Sequence, residues 1–180
     1  MRTAVPRTAE SYQHDPDAPR WSELVRGQVL ELTPPGWEHG SLQARLASHL
    51  GRWAEAGDAG AVVTAVGFVL ARDPDTVRAP DVAFVRQERV PAPRHDGYFE
   101  GAPDLAIEIR SPTDRNRRVA DVMQDYLAAG TRLVWVVDPR AETVTEYRRG
   151  DAARTLHKAD VLRDEDLLPG WSLAVATLLA

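Results

Sequence analysis

Cysteine is absent from this 180-residue chain. That excludes a disulfide framework and every thiolate metal site, and with them a stapled extracellular mini-protein or a zinc ribbon. Lysine is nearly as scarce. Lys158 is the single lysine among 22 basic residues, so the cationic chemistry rests on 21 arginines. Arginine grips carboxylate and phosphate as a planar fork but does not give up its proton, which suits it to binding and not to base catalysis. No apolar run approaches the length of about 20 residues that a bilayer-spanning helix needs. The first ten residues, Met1 to Glu10, also lack the apolar centre of a secretion signal, so the expected location is cytoplasmic, with no membrane partner. Excess positive charge is missing as well: the formal net charge of −5 argues against a general polyanion binder, while leaving room for a local arginine patch.

Hydrophobic side chains make up 43% of the chain, enough for one core without staples. Residues 1–20 carry prolines and scattered charge without periodicity and read as a mobile arm or surface strap; residues 21–180 read as a single domain. Glu23-Leu-Val25 and Gln28-Val-Leu-Glu-Leu32 flank Arg26-Gly27 and predict a hairpin, closed by the turn Thr33-Pro-Pro-Gly36. Leu42, Leu46, Leu50 and Trp53 recur at helical spacing, with Gly57 as the stop. Three strands are expected next, over 61–70, 81–85 and 104–109, with a long polar insert, 86–101, between the last two. Ser111 to Asp114 reads as the cap of a second helix whose apolar stripe is Val119, Val122, Met123, Tyr126 and Leu127, and Gly130 ends it. Strands over 132–137 and 143–147 follow. The order is helix, three strands, helix, two strands, and the strand-helix-strand passage over 104–137 implies a parallel crossover within a mixed sheet flanked by helices, an α/β (α+β) class.

Two consecutive apolar strands open on Pro-Asp, at Pro80-Asp81 and Pro103-Asp104, and the second ends on Glu108. Asp81 and Glu108 therefore fall on neighbouring strands, where paired carboxylates can hold Mg²⁺ against a substrate phosphate. That chemistry is metal-assisted phosphodiester hydrolysis. Strand alternation turns Ile109 to the opposite face and leaves Glu108 and Arg110 on a shared one. Asp104 reads as a strand-opening or turn-capping residue. The tryptophan of Trp135-Val-Val-Asp138 reads as core, and Asp138 as a turn residue.

Several segments together resemble one family: Arg78-Ala-Pro-Asp-Val-Ala-Phe84, Pro103-Asp-Leu-Ala-Ile-Glu-Ile-Arg-Ser-Pro-Thr-Asp114, and Tyr126-Leu-Ala-Ala-Gly130 leading into Trp135-Val-Val-Asp-Pro139. Glu23-Leu-Val-Arg-Gly27 and Pro34-Pro-Gly-Trp-Glu-His39 add amino-terminal landmarks. From Trp21 to the C-terminus the chain resembles the Uma-two type restriction endonuclease family of the PD-(D/E)XK nuclease superfamily. The resemblance implies a restriction-endonuclease-like sheet, a nucleic-acid substrate, DNA first, a homodimer, and Mg²⁺ or Mn²⁺ held by Asp81 and Glu108. It also implies a lysine that positions or activates water. In the family that lysine sits on the second helix, eight positions after the residue matching Asp114, and here the position is Val122. Arg110 occupies the strand position of the superfamily motif, so Asp81, Glu108 and Arg110 form the expected catalytic set. Glu23, His39 and Arg118 are accessory candidates, and Arg115 and Arg117 are candidates for phosphate contact. Two rival readings remain: a catalytically silent interaction module on a nuclease fold, favoured by Val122, and a small-molecule phosphohydrolase, disfavoured by the lack of a phosphate-cradling glycine loop.

Overall fold

The computed structural model of the protein describes residues 6–93, 96–111 and 116–180, with side chains from residue 119 onward in the last stretch. The chain opens with a short helix α1 (Ala9–Gln13), the hairpin β1 (Ser22–Val25) and β2 (Gln28–Glu31), and the long helix α2 (Trp37–Ala56). Six strands follow: β3 (Gly60–Val63), β4 (Phe68–Ala71), β5 (Thr76–Arg78), β6 (Val82–Arg86), β7 (Phe99–Glu100) and β8 (Leu105–Ile109). Helix α3 (Asn116–Ala129) then leads to β9 (Leu133–Asp138), β10 (Thr143–Tyr147) and β11 (Arg154–Leu156). The chain closes with the β12 (Val161–Arg163) and β13 (Ser172–Ala174) pair and the one-turn helix α4 (Val175–Leu178).

The central layer is a six-stranded sheet in the order β11-β10-β9-β8-β6-β3, in which β8 and β9 run parallel and the other neighbours antiparallel. Helix α3 makes the crossover between the two parallel strands. Both faces of β8 are covered, so it reads as a continuous apolar run up to Glu108. Leu105, Ile107 and Ile109 turn to one face and pack with Leu42, Leu46 and Leu50 of α2 and with the C-terminal elements. Ala106 turns to the other, against Val122 and Tyr126 of α3. Trp135 lies wholly buried, stacked on Trp171 at 5.5 Å, with its indole N–H donated to Glu146. Its expected role as core is what the structure contains.

Within this sheet the passage from α2 through β3, β6 and β8 to α3 and β9 follows the expected helix, three strands, helix, strand. The expected strand over 61–70 is two strands in different sheets. Ala65 takes a positive φ of 52°, and its N–H bonds to the Pro80 carbonyl, so the chain turns out of the central sheet after β3. β4 then enters a second sheet of order β2-β1-β5-β4-β7. This sheet packs through Phe68 on Ala83 and Val85. The hairpin β1–β2 turns on Arg26 and Gly27, with φ of 48° and 73°, the two positive values that a tight two-residue hairpin turn requires.

Of the two forms expected of the first 20 residues, an arm or a strap, residues 6–20 have the contacts of a strap. Thr8 caps α1, Ala9 and Tyr12 are buried against Leu24, Val69 and Val77, and the Arg7 N–H bonds to the Gly27 carbonyl. Few apolar side chains anchor the segment, Ala9 and Tyr12 with Ala18 beside them, and backbone bonds to the hairpin and to Asp75 add to its hold. Asp104 opens β8 as expected: its carboxylate accepts the Arg86 N–H and pairs with Arg89 at 2.8 Å, which fastens the 86–89 stretch and keeps it apart from the acids at the far end of the strand. Among the described residues no helix is long and apolar enough to cross a membrane.

Candidate active site

Val82 pairs with Ile107 and Ala83 with Ala106 across β6 and β8. One residue beyond that register, Asp81 stands across from Glu108, and residues opposite each other in an antiparallel pair project to the same face. Asp81 is fixed from three directions. Its Oδ2 accepts the Ile109 N–H at 2.7 Å, the same oxygen faces His39 Nε2 at 3.1 Å, and its backbone carbonyl accepts the Gln43 side-chain amide at 2.9 Å. His39 and Gln43 are one turn apart on α2, so a single helix face holds both ends of this residue.

Glu108 sits deeper. The Tyr126 hydroxyl donates to its Oε1 at 2.9 Å from α3. Burial first, then the Asp81 carboxylate, then Glu23, push the Glu108 carboxyl well above the ordinary range, and the Tyr126 bond offsets this only in part. Tyr126 is itself raised well above the usual phenol value by its burial and by the two glutamates. The linkage has a definite sign. Because the folded value of Glu108 lies above its unfolded one, the folded state holds the proton longer, and stability falls as pH rises from about 4.5 through the folded value. In chelator, Glu108→Gln is therefore expected to flatten this decline and to melt above the wild type near neutral pH, while added divalent metal raises the wild type alone. Melting temperature followed against pH, with and without metal, checks both.

Glu23 joins the site through an ion network. Arg78, only 3% exposed, donates from Nη1 to Glu23 at 2.7 Å and from Nε and Nη2 to Asp125 at 3.0 and 2.6 Å. Glu23 Oε1 also accepts the Ala79 N–H. Burial by itself would lower the Arg78 guanidinium, but Glu23 and Asp125 hold it above its ordinary value, so it stays charged. One arginine thus ties β1, β5 and α3 together beside the pocket. The sequence reading takes Tyr126 as part of an apolar stripe and Arg78 as a landmark only, and assigns neither them nor Asp125 a polar role at the site. Signals were present: an arginine closing the short run Thr76-Val-Arg78, and a tyrosine one helical turn after Val122.

Around these groups lies a pocket of about 320 Å³. Arg20 to Glu23 and Leu32 to Pro35 form one wall, α2 contributes His39 and Gln43, and Asp81, Glu108 to Ser111, Val119 and Val122 complete it. The structure thus brings Asp81, Glu108, Arg110, Glu23 and His39 to one cavity. Arg110 Nη1 donates to Asp138 at 2.6 Å, and Asp138 also accepts the Arg140 and Ala141 N–H groups, so the expected turn residue doubles as an anchor for the arginine. Val122 is 9% exposed and packs with Ala106, Tyr126 and Val136. Arg115 lies outside the described residues, as do the side chains of Arg117 and Arg118.

A family model described as "Uma2: Putative restriction endonuclease" matches residues 9–176. The chain belongs to the Uma2 family. Among solved structures it is similar to the "putative nuclease belonging to DUF820" from Anabaena variabilis, with a TM-score of 0.83 and 21% sequence identity over 97% of this chain and 98% of that one. The two share a fold. No curated protein matches the sequence.

The metal that the Uma2 family's nuclease reading implies can be tested against these residues. Among the described residues, no group of three or more His, Cys, Asp or Glu side chains converges to ligate a metal by itself. Mg²⁺, however, is commonly held by one or two carboxylates with water and phosphate oxygens completing the shell. Two opposed carboxylates, one of them held above its ordinary range partly by the other, fit that mode, since a cation between them would relieve their repulsion.

Proposed function

We propose that this Uma2 protein is a divalent-metal-dependent nuclease that hydrolyses phosphodiester bonds of nucleic acid, with Asp81 and Glu108 as the carboxylate ligands of Mg²⁺ or Mn²⁺. The observation that carries the reading is that these two acids stand opposite each other at the ends of adjacent strands and line one pocket. A bound divalent ion supplies Lewis-acid stabilisation of charge on the phosphate and a lowered pKa for bound water. The chain's own residues do the rest. Asp81 and Glu108 would hold the cation, Tyr126 holds Glu108, and Arg78 keeps Glu23 turned to the pocket without itself lining it. Arg110 lines the pocket and contributes fixed positive charge for a phosphate oxygen, but as an arginine it does not accept the proton of an attacking water. His39, beside Asp81, is the side chain suited to that proton transfer. The purified protein is expected to cleave DNA or RNA with Mg²⁺ or Mn²⁺ and not in chelator; failure to cleave either nucleic acid with both metals overturns the proposal.

The burial of Val122 where the family carries lysine favours one second reading, a nuclease fold retained for interaction without cleavage. Val122→Lys separates the two. On an otherwise assembled site the added ammonium is expected to raise the cleavage rate roughly a hundredfold, the order of a positioned acid–base group. No cleavage and no metal binding in either form would support the silent module.

A further inference from the structure

The wall facing the acids has a feature that phosphodiester chemistry does not require. Trp21 lines the pocket with 40% of its surface exposed, and the Arg20 guanidinium lies over its ring at 5.8 Å from the centroid. The ring does not ride on a loose loop. The Trp21 carbonyl accepts the Leu32 N–H at 2.8 Å at the base of the β1–β2 hairpin, and Leu32 and Pro35 continue the apolar wall beside it. The other exposed tryptophan, Trp37, is 93% exposed but takes no part in the pocket. An indole held half out of the core beside an arginine is the combination that stacks nucleobases while drawing in their backbone. The cavity's 320 Å³ is at the small end of ligand pockets, a scale suited to a single nucleotide unit and not to a paired duplex. Glu108 is partly buried and lines this pocket, so a scissile phosphate has to enter the pocket to meet it.

Resting on the nuclease reading above, we infer that the substrate is an unpaired strand, with a base next to the reacting phosphate stacked on Trp21 and the backbone charge met by Arg20. A base locked in a duplex exposes no face to an indole, whereas a single strand presents one at every nucleotide. Duplex nucleic acid would bind only where it frays or a base turns out.

Fluorescence anisotropy with a labelled single-stranded oligonucleotide and its duplex, at low salt and in chelator, tests this on the full chain. Single strands are expected to bind at least tenfold more tightly than the duplex. Trp21→Ala should weaken single-strand binding roughly tenfold or more, in line with the loss of one base–aromatic stack. Trp21→Phe should restore most of it, and Trp37→Ala should leave it unchanged. Equal or tighter duplex binding, no single-strand binding, or an unaltered Trp21→Ala variant overturns the inference. Because binding is read without metal, these outcomes are independent of cleavage: loss of the nuclease reading shows as absent metal-dependent hydrolysis, and loss of this one shows as a Trp21-independent or duplex-directed affinity.

Discussion

Asp81→Asn is expected to eliminate divalent-metal binding at the pocket and to lower metal-dependent phosphodiester cleavage by roughly a thousandfold, the upper end for removing one preorganised stabilising group. Asparagine is the informative replacement. It preserves the side-chain shape, and its amide oxygen can still accept the Ile109 N–H that ties the loop before β6 to the end of β8. Alanine would release that bond and the contact with His39 as well, and would mix a local collapse with the loss of charge. With asparagine the pair keeps its placement across the β6–β8 register and loses one of the two charges that attract a cation. Glu108 then feels less repulsion, so the metal-free variant should be at least as stable as the wild type. Activity and melting temperature thus move in opposite senses. A cleavage rate within tenfold of the wild type would remove Asp81 from the metal site.

Arg78→Met is expected to be the most damaging single change to stability. Its guanidinium sits between two carboxylates at 2.6–3.0 Å, and removing it strips Glu23 of its paired arginine and leaves Asp125, among the described residues, with only the exposed Arg26 at 3.8 Å. Breaking a buried pair from one side costs about 3–5 kcal/mol, which in a chain of this size lowers the melting temperature by roughly 10 °C. The damage comes from uncompensated charge and not from lost packing. The combined Arg78→Met, Glu23→Gln, Asp125→Asn variant should therefore recover most of the loss, since a neutralised network can match an ionic one. Arg78→Lys should recover little, because a point ammonium cannot serve Glu23 and both contacts to Asp125 at once. A single variant that melts with the wild type would contradict the account of this network.

The parts of the fold legible in the sequence were those with strong local periodicity. Leu42, Leu46 and Leu50 mark the buried stripe of α2, Gly57 closes it, and the apolar run ending at Glu108 is β8, covered on both faces. The acids could be placed on neighbouring strands because Pro-Asp opens one and glutamate closes the other. Short elements left no such trace. β5, β7, β11, β12 and β13 are two or three residues long, too brief for alternation to register, and their pairing is decided by partners distant in the chain. The run over 61–70 shows why length misleads: it is apolar apart from Thr64 and Gly67 because its two ends join different sheets, and the turn at Ala65, with its positive φ, divides them. Around the pocket, the acids, His39 and Arg110, all named by chemical type, lie together. The polar ties of Arg78 and Tyr126 were not legible, since they depend on which charges these residues touch across the fold, a property that single-chain spacing does not carry.

The lysine-poor composition takes on a specific meaning around the pocket. Positive charge near the acids comes from guanidinium groups already engaged: Arg78 with Glu23 and Asp125, Arg110 with Asp138, and Arg20 over Trp21. These groups position and neutralise. In the proposed reaction, proton transfer would fall to His39 and to water held at the carboxylates, which is where the absence of lysine at Val122 would bear on the rate.

Calorimetric titration of Mn²⁺ and Mg²⁺ into the wild type, Asp81→Asn and Glu108→Gln tests the central claim most directly. The account predicts saturable binding in the wild type and its loss in both variants, with each variant folded by circular dichroism. A wild type that takes up neither metal, or variants that bind as the wild type does, would contradict it.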